Sequence, residues 1–109
     1  MVKRPPPLGP KQLVLSTAAR RDLHGITTYL ANEAGETVAE RFADKLDAVL
    51  VNLASLGHSG ASREWISPGL RLHVFGNHCI YFRVTATETR IVRLLNAAQD
   101  LNAIIFEPE

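Results

Sequence analysis

Three residue types in this chain could carry chemistry, and each needs partners to do so. A cysteine attacks as its thiolate and requires a base and an orienting group. Nothing in the sequence identifies either beside Cys79, the single cysteine, so Cys79 is read as a structural thiol. The four histidines, His24, His58, His73 and His78, share no ligand spacing, and neither a Gly-rich phosphate loop nor a cysteine pair occurs. No metal and no cofactor is expected. His73 and Tyr81 are expected to be cross-strand neighbours, a pair able to move protons but read first as packed polar groups. What remains is aromatic and cationic: Trp65, Arg71, Phe75, Tyr81 and Arg83. Such side chains dominate the energetics of interfaces, so binding suits them better than bond-breaking.

Their arrangement depends on a predicted meander of strands over 70–75, 79–85 and 90–96. A two-residue Gly76-Asn77 loop would pair Phe75 with His78 and put Leu70, Leu72 and Val74 opposite in facing to Ile80, Phe82 and Val84. A three-residue loop, Gly76-Asn77-His78, pairs Phe75 with Cys79, Val74 with Ile80, Leu72 with Phe82 and Leu70 with Val84. It gathers the apolar residues on one face, and a slip of one residue would undo that. The three-residue loop is therefore expected. The other face then presents Arg71, His73, Phe75, Cys79, Tyr81 and Arg83, with Arg71 opposite Arg83, an unfavourable pairing in water that suits a surface awaiting a partner.

Upstream elements complete the reading. Residues 11–16 form a strand candidate, and Ser16 is placed to cap a helix over 18–34 whose apolar face is Leu23, Ile26, Leu30 and Ala34. Gly35 is a left-handed stop. Thr37 and Glu40 are read as a capping box for a second helix with Phe42, Leu46, Val49, Leu50 and Leu53 on one side and Gly57 at its end. So short a connection forces an antiparallel helical hairpin. Residues 58–69 read as a loop containing Trp65, and 97–106 as a short helix or docked tail ending near Phe106. The expected fold is α+β: a helical hairpin packed on a mainly antiparallel four-stranded sheet, in the order β-α-α-β-β-β.

The 109 residues suffice for one domain, expected over 11–109. Residues 1–10 hold four of the six prolines and are expected to be a flexible, extended arm. Twelve Lys+Arg against eleven Asp+Glu leave +1, too little for sequence-independent grip on nucleic acid. No apolar run is long enough to span a membrane. The start is not expected to be a secretory signal, and one cysteine fits a reducing cytoplasm.

The segments 18–30 (AARRDLHGITTYL), Ser67-Pro68-Gly69-Leu70-Arg71, Ile80-Tyr81-Phe82-Arg83-Val84 and 91–101 (IVRLLNAAQDL) occur in an order and spacing that resemble the ParE branch of the RelE/ParE toxins of bacterial type II toxin–antitoxin modules. The similarity runs over roughly 12–103. It implies a cytoplasmic bacterial toxin, a ParD-like antitoxin partner whose C-terminal region wraps it, and DNA gyrase as target, with the protein acting by binding. The alternative is a RelE-like nuclease that cuts messenger RNA on the ribosome. Such a site needs a base, an acid and cations for the phosphate. Where RelE-like nucleases carry an arginine on the second meander strand, this chain has Cys79. Gln99 stands near their later basic position, and Phe106 stands at the end in place of a tyrosine. ParE-like chains commonly read His-Gly-Ala-Arg-Asp where Asn96-Ala97-Ala98-Gln99-Asp100 stands here. The resemblance therefore implies no catalytic residue, and Trp65, Arg71, His73, Phe75, Tyr81, Arg83 and Phe106 are the candidates for contact with antitoxin or target.

Overall fold

The computed structural model describes residues 11–56 and 59–98. Strand β1 (Gln12–Leu15) enters helix α1 (Thr17–Ala34), a single residue leads to helix α2 (Glu36–Leu56), and four strands follow: β2 (Ala61–Ser62), β3 (Arg71–Phe75), β4 (His78–Val84) and β5 (Glu88–Asn96). They form one sheet in the order β1-β5-β4-β3-β2. Only the β1–β5 pair is parallel. The α+β order is as expected. The sheet has a fifth strand because Ala61 and Ser62, within the expected loop, pair with Leu72 and Arg71.

The first helix starts where its chemistry requires. The Ser16 hydroxyl accepts from the Ala19 amide at 3.0 Å and donates to the Val92 carbonyl at 2.8 Å, so one side chain both caps α1 and ties it to β5. Gly35, at φ 95°, ends it, a region that favours glycine. The expected capping box is not formed as placed. Gly35 is itself the whole connection: its N–H donates to Ala31 and its carbonyl accepts from Ala39, which puts Thr37 inside the first turn of α2. With so tight a link, one residue's backbone accepts the first hydrogen bond of α2 and satisfies the Ala31 carbonyl at the end of α1.

The expected register of the β3–β4 hairpin is overturned. Phe75 pairs with His78, Val74 with Cys79, His73 with Ile80, Leu72 with Tyr81 and Arg71 with Phe82. The loop is thus two residues, Gly76 and Asn77, with Gly76 at φ 57° and Asn77 at negative φ. That pattern belongs to the type II′ turn, whose twist matches the flanking strands. Leu72 and Phe82 consequently lie on opposite faces, and Arg71 does not oppose Arg83.

The reason is that both faces of this sheet are covered. On one side the helical hairpin packs Ala19, Leu46, Leu50 and Leu53 against Ile80, Phe82, Ile91 and Leu94. On the other, Leu70, Leu72, Tyr81, Val92 and Leu95 form a second cluster with Ile66 and Cys79 against it. A bulge in β5, where Phe82 pairs with Ile91 but Tyr81 with Arg93, lets Ile91 and Leu94 point to the same side although they are three residues apart. The loop carrying Ile66 is held by hydrogen bonds of its own backbone. Arg63 N–H donates to Leu70, Leu70 N–H to Ser67, and Gly69 N–H to the Glu64 carboxylate at 2.9 Å.

Candidate functional site

The turn between β3 and β4 projects toward the helices and divides the surface there into two grooves. Phe42 of α2 anchors it, its ring lying 5.6 Å from that of Phe75 and 5.1 Å from that of His78. The wider groove, about 670 Å³, runs along α1: Arg21, Gly25, Ile26, Tyr29 and Leu30 form one wall, with Asn77, His78, Leu94 and Asn96 opposite. The narrower, about 520 Å³, runs along α2 between Val38, Arg41, Phe42 and Lys45 and the turn residues Phe75 to His78. Asn77 and His78 line both.

Apolar residues in these walls face water. Tyr29 is 61% exposed and Val38 41%, one near the end of α1 and the other near the start of α2. The rims are cationic: Arg21, Arg41 and Lys45 make no ion pair among the described residues, whereas Asp22 is fully engaged. Its carboxylate receives Arg93 Nε at 2.7 Å and Nη2 at 2.9 Å, and the Leu94 N–H at 2.9 Å. This bidentate, charge-assisted contact fixes α1 to β5 at the groove and raises the pKa of Arg93, through the hydrogen bond to Asp22 first. Burial of His78 lowers its pKa, which favours the neutral ring against Phe42. The grooves thus offer an apolar floor, a neutral imidazole and an unneutralised positive rim, an arrangement for holding an amphipathic acidic chain.

The expected contact residues do not form one surface. Arg71, His73 and Phe75 share the helix side of the sheet, and of these Phe75 alone lines a groove. Arg71 is spent on structure, its guanidinium donating to the carbonyls of Ser59 and Gly60. Tyr81 and Arg83 lie on the far side and are buried. Arg83 donates to the Pro68 carbonyl and the Ser67 hydroxyl, clamping the Ile66 loop onto the sheet. His73 and Tyr81 are not cross-strand neighbours, because His73 faces Ile80 and Tyr81 faces Leu72. Trp65 projects from that loop at 76% exposure. Phe106, Gln99 and the tail beyond Ala98 lie outside the described residues, as do the arm over 1–10 and the expected helix stop at Gly57.

Tyr81 and Cys79 are close enough to Arg63 to feel its charge, yet burial dominates and raises both pKa values, which keeps thiol and phenol protonated. Among the described residues no group of three His, Cys, Asp or Glu side chains could hold a metal ion. No described helix is long and apolar enough to cross a membrane.

The sequence missed Arg21, Tyr29, Val38, Arg41 and His78. One signal was available: Tyr29 falls off the apolar stripe of α1, and Val38 extends the stripe of α2 one turn beyond Phe42 to a helix end where it is left exposed; large exposed apolar residues mark surfaces meant to be covered.

Fold and grooves together define a small α+β protein with a helical hairpin laid on a five-stranded sheet. The family model of the ParE toxin of the type II toxin–antitoxin system parDE matches residues 13–101, and the chain belongs to that family. Toxin ParE1 of Caulobacter vibrioides is 32% identical over 89 residues, covering 82% of this chain and 90% of that protein. A solved structure described as the chromosomal ParDE TA system from P. aeruginosa superposes with a TM-score of 0.69 at 22% identity, over 80% of this chain and 96% of the other, a likeness of fold.

Proposed function

We propose that this ParE-family chain arrests growth by binding DNA gyrase, and that a ParD-like antitoxin neutralises it by laying an acidic amphipathic segment into the grooves beside His78. The observation that carries the antitoxin half is the pairing of exposed Tyr29 and Val38 with Arg21, Arg41 and Lys45, cations without an ion pair among the described residues, around one turn. A disordered acidic segment that folds on binding matches such a surface, since apolar anchors supply affinity and charge supplies orientation.

Action by binding is supported by what the polar groups do. Arg83 and Arg71 are committed to loop carbonyls, Tyr81 is buried and protonated, and His73 does not face it. None of these stands ready as the base, acid or phosphate clamp of RNA cleavage. Titrating the purified toxin into a gyrase supercoiling assay tests the target: supercoiling should fall with toxin and recover when the antitoxin encoded beside it is added. Unchanged supercoiling at large excess would remove gyrase. Position-specific cuts in ribosome-bound messenger RNA would replace binding with RelE-like cleavage.

A further inference from the structure

Gly25 stands near the middle of α1 without the structural reasons that place a glycine in a helix. It is not among the glycines of positive φ, so its backbone is one that any residue adopts. Among the described residues nothing outside the helix's own backbone lies within 4 Å of where a Cβ would sit. No close approach therefore requires the glycine, and neither the Arg21 nor the Tyr29 side chain leans into the space. Glycine in a helix interior is destabilising relative to alanine, and here the fold gains nothing from it. The position is exposed and lines the wider groove between Arg21 and Tyr29 of the same helix. Spaced by four, these three residues form one ridge along the helix surface. The ridge has a guanidinium at one end, a ring 61% exposed at the other and a gap between them. Ile26 and Leu30 continue the same wall, with His78 and Leu94 opposite.

We infer that the gap at Gly25 determines the specificity of the wider groove: it seats one bulky apolar side chain from a helix of the antitoxin, with a carboxylate of that helix one turn away on Arg21. This rests on the reading that the antitoxin occupies the grooves, and adds where its anchor lies. Helices pack by setting a side chain of one into a depression of the other, at axial separations of about 8–10 Å that depend on the residues at the contact. A ridge interrupted by glycine supplies such a depression. The Tyr29 ring forms its apolar flank, a surface suited to an aliphatic or aromatic anchor. Charge completes the match. Asp22, the acid next to Arg21 in sequence, is spent on Arg93. Arg21 makes no ion pair among the described residues, so an incoming carboxylate meets a cation without a competing partner. On the antitoxin helix, an acid three or four positions from the anchor shares its face, the spacing that separates Arg21 from Gly25.

Two measurements on Gly25→Ala in the full chain should move in opposite directions. The thermal midpoint of the free protein should rise by about 3–6 °C, because alanine favours the helix and meets nothing. The dissociation constant for the antitoxin encoded beside it should rise at least about tenfold, and for Gly25→Leu about a hundredfold. Thr28→Ala, at an exposed position of α1 outside the groove, should leave affinity unchanged, which separates a stiffer helix from a filled seat. Alanine substitution of each large apolar residue of the antitoxin should then find one whose loss weakens binding to the unaltered chain about tenfold and to Gly25→Leu hardly at all. Absence of such a coupled position would overturn the anchor. Equal affinity of Gly25→Ala and the unaltered chain would overturn the seat and leave antitoxin binding in place, and a lowered thermal midpoint would overturn it by giving the glycine to the fold. Antitoxin binding indifferent to Tyr29→Asp and Arg41→Glu would instead remove the grooves as its site.

Discussion

His78 shows how one side chain acquires a pH dependence from its surroundings. Burial against Phe42 lowers its pKa from 6.5, so the unfolded chain binds a proton more readily than the folded one. Stability is therefore complete above about pH 6.5 and is lost as pH falls toward the folded value. Urea titrations at about pH 5 and pH 7.5 should show the protein weaker at the lower pH, and His78→Asn should narrow the difference. Asp22 offers a sharper case. Three hydrogen bonds converge on its carboxylate, from Arg93 and from the Leu94 amide. Asp22→Asn cannot accept all of them and leaves a half-buried guanidinium short of charge, at a cost of about 1–3 kcal/mol. The midpoint of denaturant unfolding should fall accordingly, and α1 should loosen from β5, widening the groove above Leu94.

Among the elements, the β3–β4 hairpin and its neighbour β2 are set by two glycines of different kinds. Gly76 adopts φ 57° in open space, so its role is conformational. Gly60 adopts φ 74°, and a Cβ there would sit 2.5 Å from the Leu72 carbonyl and 3.2 Å from the Phe82 ring. Backbone meets backbone at that point, and no side chain can yield. Gly60→Ala should cost about 2 kcal/mol or more and release β2 from β3, read as loss of amide protection at Leu72. Gly76→Ala should cost about 1 kcal/mol and leave β2 in place. Contrast between the two variants separates a strained turn from a steric approach.

For the whole molecule, the division of charge gives opposite margins opposite characters. Arg21, Arg41 and Lys45 rim the grooves at the β3–β4 turn, while Asp44 and Asp47 rim a notch beside β1. The net charge of +1 hides this separation. An acidic antitoxin segment steered by the cationic rim should associate faster at low salt. Arg41→Glu with Lys45→Glu should slow association about tenfold or more and flatten its salt dependence, measured by surface binding kinetics at two ionic strengths. Asp44→Asn with Asp47→Asn should leave that association unchanged.

Much of this molecule is determined by local sequence. The 3.6-residue stripes from Leu23 to Leu30 and from Phe42 to Leu53, with Ser16 before them and Gly35 between them, define a helical hairpin because capping and periodicity act over a few residues. The strands expected over 70–75, 79–85 and 90–96 from the same short-range patterns lie within one or two residues of the observed β3, β4 and β5. The register of β3 on β4 did not follow, since alternation tells which residues share a face and leaves open which faces are covered. Both are, one by the helices and the other by the loop that Arg83 clamps. With buried residues on both faces, alternation could not forbid the other register, and packing chose between them. That choice dispersed the expected surface of Arg71, His73, Phe75, Tyr81 and Arg83. It set His78 against Phe42 instead, a contact between residues 36 apart in the chain that tertiary structure alone could create.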